Sequence, residues 1–193
     1  MQNSWDWSNL LAQWNRFILN YDWNVTFPPE LAKSQWLGRP GATITQISQL
    51  EERLKVSLPS SYKTFLMFTN GWQWRLTPEI YSLLSTDNVT TFSDRYPHWL
   101  AVWLENTSTE DEYITDEIYR NNPRDSVTFR ARYLKNSLVI SDVGDDAILL
   151  LNPNIIQPNG EWEAWLFANW LPGADRWPSF WDLMQSLYQE FVE

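Results

Sequence analysis

Cysteine is absent from this 193-residue chain, and histidine nearly so, with His98 alone. The first absence excludes disulfides, thiolate metal sites and cysteine nucleophiles. The two together exclude a structural zinc site, which needs several Cys or His ligands. Bases are also outnumbered: 14 Lys and Arg stand against 24 Asp and Glu, a formal net charge of −10. A surface of that sign repels phosphate backbones, so no direct nucleic-acid partner is expected. There is no long apolar run of the kind a membrane-spanning helix needs. No basic flank leads into an apolar stretch near the N-terminus, so no secretory signal is read and a cytoplasmic location is expected. Neither a phosphate-binding glycine loop, a G-x-S-x-G elbow nor an H-E-x-x-H pattern occurs. No cofactor and no metal are expected, and an enzyme would need carboxylates paired across the fold.

Tryptophan is plentiful by contrast, with 14 residues, and the apolar fraction of 44% is ordinary for a globular domain. Most of these indoles must be structural, while some suit an interface, where one edge is apolar and another wet. The length fits a single domain spanning residues 1–193.

The spacing predicts a helix near the start. Trp7, Leu10, Leu11, Trp14, Phe17, Ile18 and Tyr21 recur at steps of three and four, giving one apolar seam. Ser4 is the expected N-cap. A loop-rich connector with Pro28-Pro29, Gly38, Pro40 and Gly41 follows. Thr43 and Gln46 form a capping box for a second helix, striped by Ile44, Ile47, Leu50 and Leu54. Glu51 falls inside that stripe and must be paired or hydrogen-bonded there. The structural reading is a lock between two helices; the functional one is a binding or catalytic acid. Leu58-Pro59 starts a third helix, with Tyr62, Phe65 and Leu66 facing the core. Asn70-Gly71 is expected to close it in the left-handed region.

Beyond Gly71 the chain reads as short strands in WQWRLTPEIYSLLS and HWLAVWLEN. Trp72, Trp74 and Arg75 form either an aromatic recognition cluster or a buried corner. Residues 105–117 contain a run of acids, Glu110, Asp111 and Glu112 among them, with no base. VTFRARYL reads as strand or helix. LVIS, DVGDD and AILLL read as strand, tight turn and strand, with Asp145 and Asp146 in the turn. Asp142, Asp145 and Asp146 do not have calcium-loop spacing. LNPNIIQPNG reads as a loop, and GEWEAWLFANW as a central strand with aromatics on both faces. Ser179 with Asp182 caps a final helix.

Ile47, Leu50-Glu51, Leu58-Pro59, Tyr62, Phe65-Leu66 and Asn70-Gly71 together resemble the entry motif of the SUKH superfamily, in its Smi/Knr-like branch. SDVGDDAILLLNP and GEWEAWLFANWLPGADRWPSF resemble the glycine-aspartate turn, strand and Trp-rich close of the same family. The resemblance implies an α+β fold, helices packed on a mainly antiparallel twisted sheet. Residues 41–193 would be the family core, and residues 1–40 an N-terminal helical extension with its connector. It also implies a non-enzymatic binding protein. Bacterial members look like immunity proteins that neutralise polymorphic toxins, often nucleases, and fungal relatives act as regulatory scaffolds. An acidic chain suits a basic toxin domain as partner. Candidate contacts are Trp72, Trp74, Arg75, Glu110, Asp111, Glu112, Asp145 and Asp146. Glu51, Asn70 and Gly71 are the structural polar and turn positions. A regulatory scaffold and a carbohydrate-binding module are the alternatives, and the oligomeric state is open.

Overall fold

Asp6, not Ser4, begins the first helix: its carboxylate accepts the Asn9 N–H at 3.0 Å and so fills one of the vacant positions at a helix start. That bond and one from the Ser8 hydroxyl hold the Asp6 carboxyl below its ordinary pKa. The computed structural model describes residues 5–107, 113–121 and 126–193, and Ser4 lies outside them. Helix α1 spans Trp7–Asn20 and buries Trp7, Leu10, Leu11, Trp14 and Ile18. A six-residue helix α2, Pro29–Ser34, interrupts the connector. Helix α3, Ile44–Leu54, carries the Thr43–Gln46 capping box. Helix α4, Ser60–Phe68, follows Pro59.

The end of α4 differs from expectation. Thr69 leaves the helix in extended backbone, φ −146°, while Gly71 takes φ +93° two residues later. Gly71 is thus no helix cap. A Cβ there would stand 2.7 Å from the Leu83 carbonyl oxygen, so close chain approach is what demands glycine.

The two strands expected after Gly71 do not form. Trp72 and Leu83 make only isolated bridges, and β1 is the two-residue Thr90–Thr91. HWLAVWLEN belongs to a helix: α5 (Phe92–Arg95) is followed by α6 (Pro97–Thr107). Pro97 suits a first helical turn. Trp99, Leu100, Trp103 and Leu104 then recur at helical spacing, a pattern that outweighs the strand preference of the individual aromatics. Helix α7 is Asp116–Asn121, and VTFRARYL ends in a 3-10 helix, Ala131–Asn136.

The remaining strands are β2 (Leu138–Val139), β3 (Ala147–Ile156), β4 (Trp162–Ala168) and β5 (Ala174–Trp177). Strand β3 runs through LNPNII, where a loop is expected. Its register with β4 shifts between Asn152 and Ile156, and that irregularity accommodates Pro153 inside a strand. Helix α8, Phe180–Val192, begins at the Ser179 cap.

The five strands form one antiparallel sheet in the order β1-β2-β3-β4-β5. Strand β4 is an interior strand between β3 and β5, in keeping with its two-faced apolar pattern, and helices cover both faces. Phe167 packs against Phe92, Trp99, Trp103 and Phe129 on the α5–α6 side. On the opposite side α8 packs on β4 and β5 and meets α1 and α4; Trp7, Phe65 and Phe180 interlock there edge to face. Phe65 and Phe180 are fully buried, each contributing roughly 2–3 kcal/mol from burial. Among the described residues no helix is long and apolar enough to cross a membrane.

Candidate partner-binding face

The β2–β3 hairpin turns through Asp145 and Asp146, with φ of 41° and 62°. Two consecutive left-handed residues are what the mirror-image hairpin turns use, and Asp tolerates them better than most side chains. Gly144 and Ala147 close the turn with reciprocal backbone bonds of 3.0 and 2.7 Å. A Cβ at Gly144 would collide with the Tyr81 ring and the Glu79 carbonyl, so the 79–81 segment buttresses the turn. Both aspartates are exposed. Neither makes an ion pair among the described residues.

The turn is a ridge between two grooves. Asp146 borders one of about 650 Å³, lined by Tyr96, Trp99, Val102, Trp103 and Val143. Asp145 borders the other, about 660 Å³, with Tyr21, Glu79, Trp170, Glu190 and Phe191. Val102 and Trp170 are more than half exposed, at 54% and 52%. Strand β4 sets the geometry: Leu166 faces the Asp145 groove, while its neighbour Phe167 faces the helices that wall the other. Asp175 pairs with Leu166 across β4 and β5 and so shares its face. Burial and then the nearby Glu190 charge raise the Asp175 carboxyl above its ordinary pKa.

Of the contacts proposed from sequence, only Asp145 and Asp146 stand on this ridge. Trp72 is fully buried and meets the Trp36 ring at 5.4 Å. It is held by backbone bridges to Gly38 and Leu83 and is therefore part of the core, not an anchor. Trp74 packs on Phe27 at 4.5 Å and on Trp23 at 6.4 Å. Arg75 lies 4.3 Å from the Tyr81 ring centroid, and through Tyr81 it reaches the flank of the turn. Glu110, Asp111 and Glu112 lie outside the described residues.

The structural positions have identifiable tasks. Glu51 is mostly buried, its side chain 23% exposed, and accepts from the Leu58 N–H at 2.7 Å and from Lys63 Nζ at 3.1 Å, the pairing that its place in the apolar stripe requires. It thereby ties the end of α3 to the start of α4. Asn70 brackets Thr86, accepting its N–H at 2.8 Å and donating to its hydroxyl at 3.2 Å. Sequence reasoning missed Trp99, Val102 and Trp103, whose i, i+3, i+4 spacing would have marked one helical face. It also missed Glu79, Trp170 and Glu190, which carry no local signal.

Among the described residues no cluster of three or more His, Cys, Asp or Glu side chains could hold a metal ion. Fold and face together define an α+β domain, helices on both sides of an antiparallel sheet, with an acidic ridge between aromatic grooves. Residues 41–186 match the family model for the SMI1 / KNR4 family (SUKH-1), and the chain belongs to that family. No curated protein matches it.

Proposed function

We propose that this protein is an immunity-type binding protein that holds a basic toxin domain against the Asp145–Asp146 ridge. The observation that carries the reading is the ridge itself: two exposed carboxylates without an ionic partner among the described residues, flanked by apolar grooves. Family membership and the net charge of −10 support it. Carboxylates of this kind steer a positively charged partner and set its approach, while the aromatic walls exclude water and slow its release.

The test begins with capture of the partner from the native host by the full chain. Association rates are then measured at low and high salt for the parent and for Asp145→Asn with Asp146→Asn. The expected partner is a basic toxin domain whose association slows with salt and slows again in the double variant. A second variant, Glu110, Asp111 and Glu112 all changed to Gln, measures what the acidic run adds. An acidic partner, or a rate indifferent to both the ridge and salt, overturns the reading. A basic host protein that is not a toxin would replace it with the regulatory-scaffold reading.

A further inference from the structure

We propose that the groove on the Asp145 side of the ridge receives a single arginine or lysine side chain of the partner. The inference rests on the binding role proposed above for the source of that side chain, and on the groove itself for its chemistry.

Three carboxylates border the groove, Glu79, Asp145 and Glu190, and among the described residues no Lys or Arg lines it. Two of them are held by local hydroxyls. Thr77 donates to Glu79 at 3.1 Å, and Ser186 to Glu190 at 2.8 Å. The walls between the acids are apolar: Ile80, Leu166 and Leu187 are among them, with the rings of Tyr21, Trp170 and Phe191. A long basic side chain matches both halves of this arrangement. Its methylene stem covers apolar surface while its charged head reaches carboxylates and aromatic rings. A purely apolar anchor would satisfy the walls and leave three negative charges to be partly desolvated without compensation. Asp175, whose carboxyl is raised first by burial, is raised further by the Glu190 charge.

The groove also has a particular ancestry within the chain. Glu79, Asp145, Leu166 and Trp170 lie inside the residues matched to the family, 41–186, while Tyr21, Leu187, Glu190 and Phe191 lie outside them. The Tyr21 and Phe191 rings meet at 5.0 Å, and Phe17 supports Phe191 at 5.0 Å. The end of α1 and the end of α8 thus complete a wall that the matched region alone does not make. That places partner selection where the extension joins the family core.

The experiment titrates the full chain with N-acetyl-arginine amide and, in parallel, N-acetyl-norleucine amide. The readout is the Trp170 indole N–H resonance, assigned by its loss in Trp170→Phe. The arginine compound should shift that resonance saturably, and its affinity should fall at least about fivefold in Glu190→Gln with Glu79→Gln, as expected for loss of charge-assisted contacts. Both glutamates are exposed, and an unchanged melting temperature confirms that the variant folds. No saturable shift, equal binding of norleucine amide, or undiminished binding by the glutamine variant overturns the proposal. The titration uses no toxin, so its failure leaves the immunity reading standing. Failure to find a basic partner removes that reading without altering what the titration shows.

Discussion

Arg176 sets its guanidinium carbon 3.9 Å from the Tyr119 ring centroid and donates from both terminal nitrogens to the Tyr119 carbonyl, each at 3.2 Å. The Tyr119 hydroxyl in turn donates to Glu163 at 2.7 Å. Glu163 also accepts from Trp165 Nε1 at 2.8 Å and Asn152 Nδ2 at 3.1 Å, and pairs with Arg176 at 3.4 Å. Tyr119, Glu163 and Arg176 are all buried. Burial first, and the Glu163 charge second, push the Tyr119 phenol far above the ordinary tyrosine range. The network fastens α7 to β4 and β5.

Arg176→Met removes the cation and leaves Glu163 charged in the interior. The expected cost is about 3–5 kcal/mol of folding stability, read by urea denaturation. Adding Glu163→Gln to that variant should recover part of the loss, because a neutral amide tolerates burial better than a lone carboxylate. A double variant no more stable than Arg176→Met would show that the guanidinium's packing, not its charge, matters here.

Gly71 and Gly160 form an internal comparison. Both have positive φ, +93° and +81°, but a Cβ at Gly160 would meet nothing within 4 Å, whereas at Gly71 it would press on Leu83, Leu84 and Ser85. Gly160→Ala should cost only the conformational term of about 1 kcal/mol. Gly71→Ala should cost more, by about 1–3 kcal/mol, because backbone must move as well. Equal denaturation midpoints for the two variants would contradict the steric argument.

Tyr62 is buried against Phe65 and Phe180, and its hydroxyl meets no hydrogen-bond partner among the described residues. Burial raises its pKa far above the ordinary value. Tyr62→Phe removes a desolvated hydroxyl while keeping the ring, so stability should stay level or rise by up to about 1 kcal/mol. A loss larger than that, measured by chemical denaturation, would mean that the hydroxyl is satisfied in solution.

Asp175 predicts a pH dependence. Its carboxyl is raised above the ordinary aspartate pKa, by burial first and Glu190 second. A raised folded-state pKa means that the fold holds the proton more tightly than the unfolded chain does. Its contribution to stability is therefore fully present below the ordinary aspartate pKa and is lost as pH rises through the higher, folded value. Asp175→Asn should flatten that part of the profile and raise Tm at neutral pH. Parallel thermal-melting profiles of parent and variant across the acid range would contradict the assignment.

The helices legible in the sequence were those whose stripe and cap agreed: α1, α3, α4 and α8 each combine apolar recurrence with a capping residue or proline. The β2–β3 hairpin and β4 were legible for the same reason, since turn chemistry bounded the apolar runs. Helix α6 was misread because short aromatic-rich segments satisfy strand and helix preferences alike. Strand β5 has four residues, too few for alternation to show. The grooves were illegible on different grounds. Tyr21, Glu79, Asp145, Trp170 and Glu190 come from separate segments, and only tertiary packing makes them neighbours. Gly71 was singled out correctly as special, but the demand on it comes from the 83–85 backbone rather than from its own helix.

The outer strands of the sheet are the two-residue β1 and the four-residue β5. An extended segment from another chain would find only a short ladder along β1 or β5, so strand addition to either of them has little template to copy. The same shortness guards against runaway edge-to-edge stacking at high concentration. A partner would instead be met by side chains on the faces and ridges, where one substitution can retune a contact without disturbing the backbone that carries it.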